Sequence, residues 1–226
     1  MNISDLLKDP NKVKEALKKA IMTKNKELAE MLIPIAKDPG LTYRYAKEIV
    51  KGKIKDEWED IIAKNSEFSF DYALNVLEGP FPKGEDAIAK DSEYSYLYAE
   101  NVLQGPFPKG EDAISKEDYY AYYYALNILH KPFPKGEDAI AKNSFYSYHY
   151  AKDVLHKPFP KGEDAISEDD YHSYEYAKFI LNDRFIKGEG AIIKYKKYID
   201  SYIGFLKEIG KLDEFLKDHP EVKDRV

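Results

Sequence analysis

The stretch FPKGEDAIAKDSEYSYLYAENVLQGP, residues 81–106, recurs along the chain at a fixed step. Its opening block FPKGEDAI begins again at Phe107, Phe133 and Phe159, and a relaxed copy, FIKGEGAI, begins at Phe185, so the step is 26 residues. A second signature, Tyr-Ala followed by a β-branched residue and a leucine, keeps the same step at Tyr72, Tyr98, Tyr124, Tyr150 and Tyr176. An earlier Tyr45-Ala46 lies 27 residues before Tyr72, and IKDEWEDIIAK there carries one residue more than FPKGEDAIAK. About six copies thus run over 41–195, and Tyr202 marks a degenerate seventh. Self-similarity at such a period is the signature of a repeat array.

Each copy reads as two helices. The first is short: Pro82 suits a first helical turn, where its missing N–H costs nothing, and Glu85 and Asp86 favour the positive end of the helix dipole. The second is predicted to start at Ser92 as its N-cap and to run to about Gln104. On a wheel of 100° per residue, Tyr98, Val102, Ser95, Ala99, Leu103 and Tyr96 share one face, and Leu97, Glu100, Asn101 and Gln104 the other. The small residues Ser69, Ser95, Ala121, Ser147 and Ser173 form a column that lets neighbouring helices approach closely. Gly79 and Gly105, or Lys131 and Lys157, precede the proline that bars further helix. One such pair cannot bury its own apolar face, so it must stack on the next copy. The fold class expected is all-α: a single α-solenoid domain over 1–226, with helical caps at 1–40 and 196–226.

Composition limits the partners. The chain of 226 residues carries 35 basic and 41 acidic side chains, a formal net charge of −6. That argues against nucleic acid or an anionic membrane, both of which attract basic surfaces. Cysteine is absent, which removes disulfides and thiol chemistry. MNISDLLKDPNK lacks the pattern of a signal peptide, and no apolar run is long enough for a membrane span. A cytoplasmic protein is expected.

Candidate chemistry yields little. All 20 tyrosines fall between Tyr43 and Tyr202. They could form a stacking platform for bases, but internal comparison favours packing. Phenylalanine replaces tyrosine in the column Tyr43, Phe70, Tyr96, Tyr122, Tyr148, Tyr174 and in the column Phe68, Tyr94, Tyr120, Tyr146, so there the ring matters more than the hydroxyl. The column Tyr45 to Tyr176 never relaxes; its hydroxyl is expected to satisfy a buried backbone group or an acid in the next copy. The repeated Lys-Gly-Glu-Asp reads as a solvated ridge with inter-repeat ion pairs. Its alternating charges suit neither a phosphate tracker nor a DNA mimic. His130 and His156 sit at helix ends where a cation complements the dipole, while His149 and His172 read as isolated. No catalytic grouping, metal set or cofactor motif is present, so no enzyme is expected.

Columns that vary while the rest of the copy stays constant are the candidate binding surface. One reads Arg44, Asp71, Leu97, Tyr123, His149, Glu175; its neighbour reads Lys47, Leu74, Glu100, Leu126, Lys152, Lys178. Leu74, Leu97, Tyr123, Leu126, His149 and Lys152 are the partner-binding candidates, an apolar patch with a polar rim.

The combined motif, Tyr-Ala-x-x-Val-Leu then Phe-Pro-Lys-Gly-Glu-Asp-Ala-Ile, resembles an uncharacterised helical repeat of phage and giant-virus proteins, over about Leu41 to Tyr195. The resemblance brings no catalytic residues. It implies a viral origin and a host protein as partner, in its concrete form a bacterial defence complex that the chain would block from within the host cytoplasm. A nucleic-acid-interacting solenoid is the alternative, and an enzyme the third reading. Neither partner identity nor oligomeric state is written in the motifs.

Overall fold

A computed structural model describes residues 9–195 and 197–225. Residues 1–8, with which the expected N-terminal cap begins, and Lys196, with which the expected C-terminal cap begins, lie outside the described residues. Every regular element among the described residues is helical. The chain forms two compact units, Met1–Ile114 and Ser115–Val226, and the repeat pattern runs through both, as an α-solenoid requires.

In the first unit, Pro10–Met22 and Lys26–Ala36 form a helical pair that buries Val13, Leu17, Ile21, Leu32 and Ile33. The repeats follow. Their short helix is a 3₁₀ turn, Pro82–Gly84, that tightens into the α-turn Glu85–Ile88. The long helix is α over Ser92–Tyr98 and π over Ala99–Leu103. Its N-cap is Asp91 rather than Ser92: Asp91 has extended dihedrals and its carboxylate accepts the Tyr94 N–H at 3.1 Å. Asn65 does the same one copy earlier. Wide π turns also displace the helix wheel, and Val102 and Leu103, expected on the buried face, are only half-buried.

The π segment ends in a left-handed residue. The series is Lys51, Glu78 and Gln104, then His130, His156 and Asn182 in the second unit, with φ from 47° to 56°. What these positions share is a conformation, not a charge, so His130 and His156 need no dipole argument.

In the second unit the long helices are Asp118–Tyr123, Ser144–His149 and Asp170–Tyr176, each continued by a π segment. A longer helix, Ile186–Tyr195, begins where Ile186 replaces the repeat's proline, and Ile199–Glu208 presents Tyr202 in the repeat's tyrosine position. Leu212–Asp218 then closes the array by burying Phe215 against Tyr202, ring centroids 5.6 Å apart.

The invariant tyrosines join these pieces. The Tyr98 hydroxyl accepts the Phe81 N–H at 2.9 Å and donates to Glu85 at 3.3 Å. Tyr72 does so with Ile54 and Glu59, Tyr150 with Phe133 and Glu137, Tyr176 with Phe159 and Glu163, and Tyr202 with Phe185 and Glu189. Both partners lie upstream in the same copy, not in the next one. The following copy meets the ring instead: Phe107 packs edge-on against Tyr98 at 5.1 Å, and Phe159 against Tyr150 at 5.1 Å. In the copy with the extra residue, Ile54 supplies the backbone and Trp58 the ring, 5.7 Å from Tyr45.

Lys-Gly-Glu-Asp is likewise explained residue by residue. Glutamate accepts the tyrosine hydroxyl's hydrogen bond. Lysine reaches back one copy to aspartate, Lys109 to Asp86 and Lys161 to Asp138, both at 2.7 Å. These pairs are exposed and each contributes little. A Cβ on Gly110 would lie 2.5 Å from the Phe107 ring and 2.6 Å from Ser95 Oγ of the preceding copy. The small column thus serves close approach, and its serines also donate one turn back, Ser95 to the Ile88 carbonyl at 2.9 Å.

Two stability predictions follow from this geometry. Gly110→Ala should lower the unfolding free energy by about 1–3 kcal/mol, as overpacking does, while Gly105→Ala, whose Cβ meets only a carbonyl oxygen at 3.8 Å, should change it by less than about 0.5 kcal/mol. Tyr98→Phe should cost about 1–3 kcal/mol by stranding a buried N–H, and Tyr94→Phe should be near neutral, because Phe68 already fills the equivalent place. Urea titration of each variant measures both.

Candidate interaction surface

The sequence candidates divide between the two units. Leu74 is exposed and Leu97 half-buried in the first. Tyr123, Leu126, His149 and Lys152 belong to the second. There Leu126 lines a cleft of about 250 Å³ with His130, Asp153 and His156. Lys152 Nζ lies 5.4 Å from the Tyr148 ring and 5.9 Å from Phe179. Tyr123 and His149 enter a band of aromatic rings drawn from several columns of the repeat.

That band has an inner row of buried and half-buried rings and an exposed row. The inner row links position to position between successive copies: Tyr122 to Tyr146 at 5.5 Å, Tyr148 to His172 at 5.6 Å, Tyr174 to Tyr198 at 6.0 Å. The first unit carries the same links, Tyr43 to Phe68 and Phe70 to Tyr94. His172 therefore belongs to the column of Phe68, Tyr94 and Tyr146, and is not isolated. Nor is His149, whose ring centroid is 4.3 Å from Phe145, a residue that also contacts His172 at 5.9 Å.

The exposed row is Tyr119, Phe145 and Tyr171, with 46%, 42% and 40% of their surface open to solvent. Tyr119 touches Tyr123 at 4.7 Å, and Tyr171 touches Tyr198 at 5.2 Å. The same column in the first unit reads Glu67 and Glu93. Aligning the copies displays this change from acid to ring, but the chain's many tyrosines hide it while every ring is read as core.

Acids thread the band. Asp153 accepts from Tyr122 at 3.2 Å and lies 2.9 Å from His149 Nδ1; Glu175 accepts from Tyr148 at 3.1 Å; Asp118 accepts from Asn143 at 2.9 Å. Burial, reinforced by Asp153 and Glu175, holds the Tyr122 and Tyr148 hydroxyls well above the usual phenol range. In the repeat seam, burial pushes the Tyr98 hydroxyl up to about 12, with Glu85 adding to the shift.

Among the described residues no group of three acids or histidines is placed to hold a metal ion, and no helix is long and apolar enough to cross a membrane. The fold and this surface define a tandem-repeat helical protein with an exposed aromatic row. Comparison with protein-family models, with curated proteins and with solved structures yields no match.

His172 generates a pH prediction. Its buried Nδ1 has no hydrogen-bond partner and lies 3.0 Å from Asp169 in poor alignment. Burial lowers its pKa below the ordinary value of 6.5, the Asp169 charge opposes the shift, and His149 adds to it. Between that lowered value and 6.5 the unfolded chain binds the proton more readily, so the stabilisation present above pH 6.5 is lost on acidification. His172→Tyr, the residue of Tyr146 and Tyr198, should flatten the fall in unfolding midpoint between pH 7.5 and 5.5. A fall as steep as wild type would show that another group governs it.

Proposed function

We propose that this chain is a non-enzymatic, protein-binding repeat protein that works by stoichiometric occupation of a partner through the aromatic band of its second unit. One observation carries the reading. The same helical position holds Glu67 and Glu93 in the first unit and Tyr119, Phe145 and Tyr171 in the second, so the exposed rings are not needed by the repeat. Exposed aromatic residues beside a polar rim are what protein interfaces use as anchors. Tyr123 and His149, taken from the variable column, lie within this band; Leu74, Leu97, Leu126 and Lys152 are secondary. The viral repeats that the sequence resembles make a host protein, in the cytoplasm where a defence complex operates, the first partner to test.

The triple variant Tyr119→Glu, Phe145→Glu, Tyr171→Glu copies the first unit's own residues and should leave the fold standing, with unfolding free energy lower by less than about 2 kcal/mol. Affinity capture from host lysate, compared quantitatively with wild type, should then lose the partner. Capture unchanged by the triple variant but abolished by Leu74→Ser with Leu97→Ser would move the surface to the first unit and defeat the proposal.

A further inference from the structure

The acids of this protein are handled in two ways. Along the repeat seam each aspartate is neutralised within the chain: Asp86 by Lys109, Asp138 by Lys161, Asp164 by Lys187. In the aromatic band, by contrast, the partners of Asp118, Asp153 and Glu175 are an amide, phenols and an imidazole. Among the described residues none of the three makes an ion pair with lysine or arginine. The chain's own lysines approach the band without pairing with these three acids: Lys178 feels Glu175, Lys152 lies over the Tyr148 ring, Lys142 shares a shallow cleft with Asp169, and Lys197 feels Asp169 and Asp170.

Carboxylates that no lysine or arginine pairs with, set among open rings, are matched by one ligand chemistry. Ring faces attract cations through their quadrupole, arginine above all, and carboxylates add direct attraction. Phosphates would meet the opposite: a nucleic-acid strand stacked on Tyr119, Phe145 and Tyr171 would bring its charges to Asp118, Asp153 and Glu175. A neutral apolar segment would be served by the rings but leave the carboxylates unused.

Resting on the function proposed above, we infer that the band receives an arginine- or lysine-bearing segment of the partner protein, its cations seated on the exposed rings and between these carboxylates. The rings of successive copies repeat along the band, so an extended segment with basic residues at intervals is the matching shape.

The test uses the full chain and a fluorescein-labelled 12-residue peptide alternating arginine and alanine, followed by anisotropy at low salt. Controls are the same peptide with citrulline for arginine, one with glutamate for arginine, and a 12-nucleotide thymidine strand. The arginine peptide should bind at least about tenfold more tightly than any control. Tyr119→Gln with Phe145→Gln and Tyr171→Gln removes the rings at constant charge and should weaken it about tenfold. Asp153→Asn with Glu175→Gln should do likewise, and Glu67→Gln with Glu93→Gln should leave it unchanged. Equal binding of citrulline and arginine peptides, tighter binding of the thymidine strand, or equal losses in the Glu67/Glu93 variant would overturn the inference. Should the arginine peptide fail while lysate capture still depends on the three rings, the protein-binding reading stands and only its cationic partner falls. Should capture ignore the rings, both fall.

Discussion

A phenol buried at the centre of each repeat holds its copy together with its oxygen and its successor with its ring. The oxygen has two obligations: it accepts the N–H that the chain offers just before the proline-led turn, and it donates to the glutamate of that turn. Phenylalanine would fill the space but leave a buried N–H without an acceptor, the costlier error in a low-dielectric interior. The ring's edge then receives the next copy's phenylalanine. A single side chain thus sets the spacing between turn and helix and the spacing between copies, which explains why this column is invariant while its aromatic neighbours alternate between tyrosine, phenylalanine and histidine.

Because so much of the interior is settled by the tyrosine, the turn glycine and the small-residue column, the outer positions of the long helix are free to differ. The first unit uses the freedom for charge, at Glu67 and Glu93. The second uses it for rings. Stability in such arrays comes from within-copy and nearest-neighbour terms, so a change on the outer face of one copy perturbs little else. That separation of interior from surface is what supports the binding role proposed for the exposed row.

The repeat was legible because its period is carried by residues with strong individual reasons: proline before a turn, glycine where a Cβ would collide, tyrosine where a hydroxyl is required. The two-helix copy and the class of fold followed from these. Three things were not legible. The π segment depends on a left-handed terminator supplied by lysine, glutamate, glutamine, histidine or asparagine, none of which advertises that conformation as glycine would. Asp91 displaced Ser92 as the cap, a difference of one position between two good capping residues. And the candidate surface was only half visible, because Tyr123 and His149 vary conspicuously whereas Tyr119, Phe145 and Tyr171 sit in a tyrosine-rich helix where an exposed ring resembles a buried one.

The reach of each contact has an evolutionary corollary. Phe133 answers to the tyrosine seventeen residues on, and Gly162 nests on the serine of the copy before it. Excising residues 133–158 would bring Phe159 onto Tyr124 and Gly162 onto Ala121, duplicating pairings already present elsewhere in the array. Loss or gain of a whole period is therefore structurally silent, whereas the single extra residue before Tyr72 is absorbed only by dividing the phenylalanine's two roles between Ile54 and Trp58. A lineage bearing this module can lengthen or shorten its aromatic row by single rungs without redesigning the scaffold beneath.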